Sequence, residues 1–175
     1  MKKLSLALAL GLSVGGVQAN VVPTSAYCNT AYMSNGQLTD LGAADENYLF
    51  FQRYANLEQL VPVTTVEFSA FLPGNDLEEI GFFYQSAVEG DSRGFDPYVV
   101  TKVEFFHFWR QRWLTVDEFE MDGLNKDQSC FTMVDPAGLI NPITAQVRTR
   151  VTWHGSGLPF SRVRVDAAWW FTGDH

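Results

Sequence analysis

The chain has 175 residues, with twenty acidic and twelve basic side chains that give a formal net charge of −8 at pH 7. A domain this acidic has no overall field that attracts nucleic acid, so nucleic acid is not an expected partner. The length suits a single domain whose core is large enough to fold without a metal or several disulfides.

The first nineteen residues have the pattern of a cleavable signal peptide. Lys2 and Lys3 give a positive start, and the apolar run over residues 4–14 is too short to span a bilayer as a helix. Small residues that end on Ala19 match a cleavage site. We therefore expect an exported protein, periplasmic or extracellular, whose residues 20–175 form one β-rich domain with no transmembrane helix.

The two cysteines of the chain, Cys28 and Cys130, are predicted to form a disulfide. The compartment that the signal peptide predicts is oxidising, which favours pairing. A bond that closes a loop of about 100 residues could add up to about 4–5 kcal/mol in the chain-entropy model. A reactive or metal-binding cysteine is the alternative, but neither residue has a histidine or second cysteine at ligand spacing.

Residues 43–60 allow two interpretations. An apolar stripe with helical spacing, which includes Phe51, favours a short N-terminal helix, and this is our prediction. Residues 47–54 would also suit an aromatic strand.

From about residue 61 onward, apolar or alternating runs are separated by turn-forming segments, a pattern typical of antiparallel sheets. The runs cover residues 61–72, 80–88, 98–119, 129–134, 143–154 and 160–172. They predict an all-β antiparallel sandwich, jelly-roll or immunoglobulin-like in shape. A closed β-barrel, including a small outer-membrane barrel, is the alternative.

Two of these runs raise specific expectations. The run over residues 98–119 is longer than an ordinary strand, so we expect a bend, a bulge or a crossing between sheets. The turn over residues 155–159 predicts that the last two runs form a hairpin with Val151 opposite Val163. The core side would then carry Val147, Thr149, Val151, Trp153, Val163, Val165, Ala167, Trp169 and Phe171. By the same parity, Trp170 lies on the opposite side.

Arginine dominates the basic residues, since eight arginines and two lysines follow residue 19. Six of the arginines are paired at a spacing of two, which places each pair on one face of a strand. The pairs are Arg110 with Arg112, Arg148 with Arg150, and Arg162 with Arg164. On neighbouring strands they would form one guanidinium face for carboxylate, sulfate or phosphate.

The alternative is that these arginines form ordinary cross-strand salt bridges, which add little stability where they are exposed. The acidic partners would be Glu104, Asp117, Glu118, Glu120 and Asp166.

Exposed aromatic side chains are the second kind of candidate, because they can stack on sugar rings. Trp170 shares the arginine side of its predicted strand, and Trp109 lies beside Arg110. We predict ligand contact for these two tryptophans and core positions for most other rings.

No catalytic or transition-metal motif has the required spacing. His107, His154 and His175 match no metal-binding pattern, and Ser156 lies in a turn without the pattern of a nucleophile elbow. We therefore predict no metal site and no cofactor, and we favour a protein that is not an enzyme.

Acidic residues leave two further interpretations open. Residues 91–96 and 122–127 could bind calcium, although their spacing differs from the twelve-residue calcium loop. Neighbouring carboxylates could hydrolyse a glycan by acid-base chemistry. The candidate pairs are Glu78 with Glu79 and Glu118 with Glu120.

These patterns predict a secreted or periplasmic binding module without enzymatic activity. The expected partner is an anionic glycan or other saccharide, a lipid headgroup or an envelope protein. The alternatives are a small extracellular hydrolase that uses carboxylates, and a structural component of a bacterial envelope, including the outer-membrane barrel. The candidate ligand-binding residues are Arg110, Arg112, Arg148, Arg150, Arg162, Arg164, Trp109 and Trp170.

Overall fold

The structure is a computed structural model, and it describes residues 19–28, 31–45, 48–53, 63–74, 77–89, 98–121, 127–156 and 162–173. Eleven β-strands and one 3-10 helix (Leu38–Gly42) lie in these ranges. The strands are β1 (Ala19–Val21), β2 (Ser25–Cys28), β3 (Ala31–Asn35), β4 (Leu49–Arg53), β5 (Val63–Phe71), β6 (Glu79–Glu89), β7 (Tyr98–His107), β8 (Arg112–Glu120), β9 (Gln128–Val134), β10 (Gln146–Ser156) and β11 (Arg162–Gly173). Residues 1–18 of the predicted signal peptide lie outside the described residues, so that feature stays a prediction.

The strands form two antiparallel sheets. The six-stranded sheet has the order β3-β4-β11-β6-β9, with β1 paired to the C-terminal part of β11. The five-stranded sheet has the order β2-β5-β10-β7-β8. Most strands that follow one another in the chain lie in different sheets, so the connections cross between layers instead of forming a meander.

The inner faces of the two sheets pack into one hydrophobic core. Alternate residues of β5 and β10 point inward, as the two-residue period of a strand requires. The largest buried side chains include Trp153, Trp170, Tyr84, Phe51 and Phe68. The predicted antiparallel sandwich is confirmed, and the alternative of a closed barrel is wrong, because the two sheets stay separate among the described strands.

Two tryptophans join the sheets by hydrogen bonds across the core. The indole N–H of Trp153 on β10 donates to Ser86 Oγ on β6 at 3.3 Å. The indole N–H of Trp170 on β11 donates to Thr149 Oγ1 on β10 at 2.9 Å. Both tryptophans are fully buried, so these bonds satisfy donors that would otherwise destabilise the interior.

The predicted helix over residues 43–60 is wrong where the structure describes it. Leu49–Arg53 forms β4, which pairs with β3 and β11. Leu49 and Phe51 are buried while Phe50 is only half-buried, so the aromatic-strand alternative has the correct period. Neighbouring strands supply the backbone hydrogen bonds that a helix would have made internally. In the described ranges, no helix is long and apolar enough to cross a membrane.

The long run over residues 98–119 is two strands joined by a tight turn. β7 and β8 pair as a hairpin around residues 108–111, where Gln111 has a left-handed backbone with φ of 49°. A bulge between Val103 and Glu104 adds a local irregularity to the pairing. The predicted break therefore takes the form of a turn and a bulge within one sheet.

The predicted pairing of the last two strands is wrong. β10 pairs with β5 and β7 in one sheet, whereas β11 pairs with β4 and β6 in the other. Both strands lie inside their sheets and bond to a neighbour on either side, and the turn residues between them suit a crossing between layers as well as a hairpin. Residues 157–161 of this connection lie outside the described part of the chain.

A bulge at Asp166 also overturns the prediction for Trp170. The pairing of β11 with β6 shifts between Val165 and Ala167, which moves the later side chains to the opposite faces. Trp170 is therefore fully buried, and Trp169 faces outward and stacks on Phe83 with ring centroids 4.5 Å apart. Phe171 faces outward as well. Because Trp170 is fully buried, it is unavailable for ligand contact.

The predicted disulfide between Cys28 and Cys130 is absent. Cys28 ends β2 at one edge of the five-stranded sheet, whereas Cys130 Sγ donates to Asp117 Oδ2 of β8, at the opposite edge, at 3.1 Å. Four strand spacings of about 4.8 Å separate these edges, and a disulfide requires Cα atoms within about 7 Å. Burial, reinforced by Asp117, raises the pKa of the Cys130 thiol to about 12, so the thiol stays protonated.

We predict that the unreduced protein carries two thiols. Denaturing it without a reductant and alkylating it should add two alkyl groups by mass spectrometry, because the strand order holds Cys28 and Cys130 far apart. A protein that takes up no alkyl group until it is reduced would contradict this strand order.

Candidate functional site

The solvent-facing side of the five-stranded sheet, which we call the five-stranded face, gathers polar and aromatic side chains from all five strands. Since the inward residues of each strand are fixed by the core, the alternate residues must face solvent. The face is formed by Ser25, Tyr27, Val63, Thr65, Glu67, Ser69, Phe71, Val100, Lys102, Glu104, Phe106, Trp113, Thr115, Glu118, Arg148, Arg150, Thr152 and His154.

Two arginines of β10 form the centre of this face. Arg148 Nη2 lies 2.9 Å from Glu67 Oε2 on β5, and Arg150 Nη2 lies 2.7 Å from Glu104 Oε2 on β7. Lys102 Nζ is a second cation on Glu104, at 2.9 Å from Oε1. The guanidinium groups are therefore fixed by carboxylates on the neighbouring strands.

Aromatic rings fix the same guanidinium groups. The Cζ atom of Arg148 lies 4.6 Å from the ring centroid of Phe106, and that of Arg150 lies 4.5 Å from the ring centroid of Trp113. Phe106 and Trp113 contact each other edge to face, with centroids 5.3 Å apart. Side chains held by both an ion pair and a ring lose little freedom when they bind a ligand, which favours binding.

Glu104 is the most buried acid of the face, with 5% of its surface exposed. Burial alone would raise the pKa of its carboxyl group, but the hydrogen bonds from Lys102 and Arg150 outweigh burial and hold the pKa below its ordinary value. Glu104 is therefore ionised at neutral pH and stabilises the folded state in that form.

Two depressions lie on the five-stranded face. One has a volume of about 370 Å³ and lies between Tyr27 on β2, Glu67 on β5 and Arg148 on β10. The other has a volume of about 260 Å³ and lies around Thr152 and His154, further along β10. Arg148 and Thr152 are four residues apart, so a ligand that reaches both depressions must extend over about 13 Å.

Tyr27 is the most exposed aromatic side chain on this face, with 65% of its surface accessible. It lies opposite Glu67 on β5, at the edge of the larger depression. An exposed ring beside a fixed carboxylate and a fixed guanidinium can stack on an apolar ring face while the polar groups bind its substituents.

The predicted single face of arginines is wrong, because the pairs lie on different sheets. Arg162 and Arg164 lie on the outer side of the six-stranded sheet, where both pair with Glu89. Arg164 also binds Asp127 Oδ1 at 2.7 Å. The rings of Phe50 and Tyr48 cover the two guanidinium groups, with centroids 4.3 Å from each Cζ atom.

The remaining candidates lie at the turn between β7 and β8. Arg110 is in the turn and Arg112 is the first residue of β8, so they do not form a pair on the face of a strand. Both are exposed, as is Trp109, which has 69% of its surface accessible. Of the eight predicted residues, the structure brings only Arg148 and Arg150 together on the five-stranded face.

Several residues of the five-stranded face, including Tyr27 and Glu67, were not among the predicted ligand-binding residues. Tyr27 lies on a strand of four residues, too short for a period to show. Glu67 could have been found, because the alternation over Val63–Phe71 places it outward. Its pairing with Arg148 required the strand order, which the sequence does not give.

The two candidate calcium loops are described only in part. In the described residues, no group of three or more histidine, cysteine, aspartate or glutamate side chains is arranged to hold a metal. Asp127, from one candidate calcium loop, binds Arg164 instead. The rest of that loop, residues 122–126, lies outside the described ranges, as does the loop over residues 91–96.

Comparison with protein-family models and with curated proteins gives no match. Among solved structures, a mutant of a carbohydrate binding module of family 29 superposes with a TM-score of 0.50 at 7% identity, over 91% of this chain and 94% of that one. The K3 cleaved adhesin domain of Lys-gingipain from Porphyromonas gingivalis W83 gives 0.51 at 12% identity, over 91% and 100%. PfGH50B gives 0.54 at 8% identity, over 90% of this chain and 24% of that longer one. At such identities the similarity shows the β-sandwich fold alone.

We predict that Glu104→Gln destabilises the protein in a pH-dependent way. Loss of the charge-assisted bonds to Lys102 and Arg150 should lower the free energy of unfolding by about 1–3 kcal/mol at neutral pH. A carboxyl whose pKa is lowered in the folded state stabilises it above the unfolded pKa of about 4.3, and this stabilisation is lost as the pH falls through the folded pKa. Urea unfolding of the variant and of the unsubstituted protein, at neutral pH and at about pH 3, measures the loss of unfolding free energy at each pH.

Glu118→Gln, which removes an exposed carboxylate from the same face, is the matched control and should change stability little. An effect of Glu104→Gln that is equal at both pH values would contradict a role for the ionised carboxylate.

Proposed function

We propose that the protein is a non-enzymatic saccharide-binding module whose ligand lies across the five-stranded face. The observation that carries the proposal is the larger depression, where exposed Tyr27 stands beside the fixed pair of Glu67 and Arg148. Sugar rings have an apolar face that stacks on aromatic rings and hydroxyl groups that hydrogen-bond to charged side chains. One of the similar folds agrees with this proposal, since it is named a carbohydrate binding module.

A neutral saccharide fits this face better than an anionic one. Arg148 and Arg150 are already matched by Glu67 and Glu104, so an acidic ligand would have to compete with two internal carboxylates. Lys102 and Glu118 both line the smaller depression, so their charges offset each other and add no net positive charge for an anion. An anionic glycan or an anionic lipid headgroup would therefore have to displace an internal carboxylate in order to pair with either arginine.

The two depressions favour a polymer over a single sugar. A chain that runs along β10 could place one unit beside Tyr27 and another beside Thr152 and His154. Each further unit adds contacts while the protein side chains are already held in place, so affinity should rise with chain length until both depressions are filled.

We also propose that the protein acts outside the cytoplasm, in the periplasm or the extracellular space. The signal-peptide pattern supports this location, and polysaccharides that a secreted module could meet lie there. Mass spectrometry of protein from its native cells should find a mature N-terminus at Asn20, whereas a chain that retains Met1 would contradict export by this route.

Binding to a panel of polysaccharides tests the saccharide proposal. Soluble xylan, galactan, mannan and β-glucan, with pectin as the acidic member, can be compared by affinity electrophoresis and calorimetry. We expect at least one neutral polysaccharide to bind, with no release of reducing ends. Tyr27→Ala should weaken binding at least tenfold, or about 1.4 kcal/mol, while Tyr27→Phe should retain most of it because stacking needs the ring alone.

Phe131→Ala is the matched control, because Phe131 is 54% exposed on the outer side of the other sheet. It should leave binding unchanged. Failure of every neutral polysaccharide to bind, or equal binding by Tyr27→Ala and the unsubstituted protein, would overturn the proposal, and release of reducing ends would show an enzyme instead.

A further inference from the structure

A second cleft lies at one end of the sandwich, away from the five-stranded face. It has a volume of about 240 Å³ and is formed by the turn that follows β7 and by the segment that follows β9. Trp109, Pro136 and Ile140 supply its apolar surface, and Glu78 and Asp135 supply its charges. None of the residues that line it also lines either depression of the five-stranded face.

Trp109 is the most distinctive residue of this cleft, because 69% of its surface is exposed in a turn. Tryptophan has the largest apolar ring of any side chain, and an exposed position gives up the stabilisation that its burial would provide. Its indole face is also the strongest partner for a cation among the aromatic side chains. Such a ring in a cleft is suited to contact with a ligand that covers it.

The turn that carries Trp109 is fixed to the opposite wall of the cleft. The backbone N–H of Phe108 donates to Gly138 O at 2.7 Å. The buried ring of His107 lies against Gly138, where an added Cβ atom would overlap the imidazole ring. Gly138 also has a φ of +77°, so only glycine combines this backbone with this contact. The cleft is therefore formed before any ligand arrives.

The charges of the cleft are uniformly negative. Glu78 and Asp135 are both exposed, and in the described parts of the chain no lysine or arginine pairs with either. Asp135 Oδ1 accepts a hydrogen bond from the Ala137 N–H at 2.9 Å, which fixes the carboxylate and leaves its other oxygen for a ligand. The net charge of −8 adds to the attraction for a cation.

We propose that this cleft binds an amino-sugar unit of a glycan, with its ring stacked on Trp109 and its ammonium group held by Glu78 and Asp135. An indole face with two carboxylates that pair with no basic side chain among the described residues suits a ligand that carries an apolar face and a positive charge on the same small unit. The choice of a glycan as the carrier of the ammonium group rests on the proposed function, whereas recognition of the cation rests on the cleft alone.

A pair of ligands that differ in charge tests this proposal. Hexamers of glucosamine and of N-acetylglucosamine have the same ring and linkage, but only the first carries ammonium groups. We expect the glucosamine hexamer to bind at least tenfold more tightly by calorimetry at low salt. Its affinity should fall as salt rises, and as the pH rises until the ligand amine is neutral.

Substitutions then locate the site. Trp109→Ala, Glu78→Gln and Asp135→Asn should each weaken binding of the glucosamine hexamer, the first at least tenfold, and their melting temperatures should match the unsubstituted protein since all three side chains are exposed. Glu79→Gln is the matched control, because it removes the same charge from the adjacent residue, which does not line the cleft. It should leave binding unchanged if the attraction is local.

Each contrary result has a distinct meaning. Equal affinity for the two hexamers, or no binding of the glucosamine hexamer, would overturn recognition of the cation. Equal losses from Glu78→Gln and Glu79→Gln would show attraction to the overall charge instead of a site. Loss of binding in Tyr27→Ala but not in Trp109→Ala would overturn this proposal and leave the five-stranded face as the binding surface.

Discussion

The alternation of β10 between core and solvent is the constraint on which the rest of the structure depends. Val151 and Trp153 are fully buried, so Arg148 and Arg150 must face outward. Because β10 lies between β5 and β7, its register also sets which carboxylates meet these arginines. A slip of one residue would bury both guanidinium groups, so the core fixes the ion pairs of the five-stranded face as firmly as it fixes the fold.

The positions of Trp169 and Trp170 also depend on strand register, because one inserted residue in β11 decides which of them is buried. The bulge at Asp166 turns Trp170 into the core, where it binds Thr149 on the facing sheet, and turns Trp169 outward. Trp153 makes the reciprocal contact from β10 to Ser86. Since both bonds connect the layers, the distance between the sheets and the position of the five-stranded face are set together. The proposed ligand contacts therefore involve exposed rings at the edges and ends of the sandwich, such as Tyr27 and Trp109.

The fold class could be predicted from the sequence because a period of two is a local property. The burial of Val147, Val151 and Val163 followed from alternation alone. Neighbours could not be predicted this way, since the residues that turn a hairpin also allow a crossing between sheets. The bulge at Asp166 could not be predicted either, because a single extra residue within an apolar strand produces no distinct sequence pattern. The candidate site could be predicted only in part. Glu104, which pairs with Arg150, was among the acidic partners expected for the arginines. Glu67, which pairs with Arg148, can be identified as its partner only from the strand order.

We propose that the five-stranded face binds a saccharide without any change in the packing of the hydrophobic core. Titration of isotope-labelled protein with a neutral polysaccharide fragment, followed by nuclear magnetic resonance, tests it most directly. We expect shifts at Tyr27, Glu67 and Arg148, with the indole N–H signals of Trp153 and Trp170 unchanged. Shifts confined to the outer side of the six-stranded sheet, or no shifts with any fragment, would contradict it.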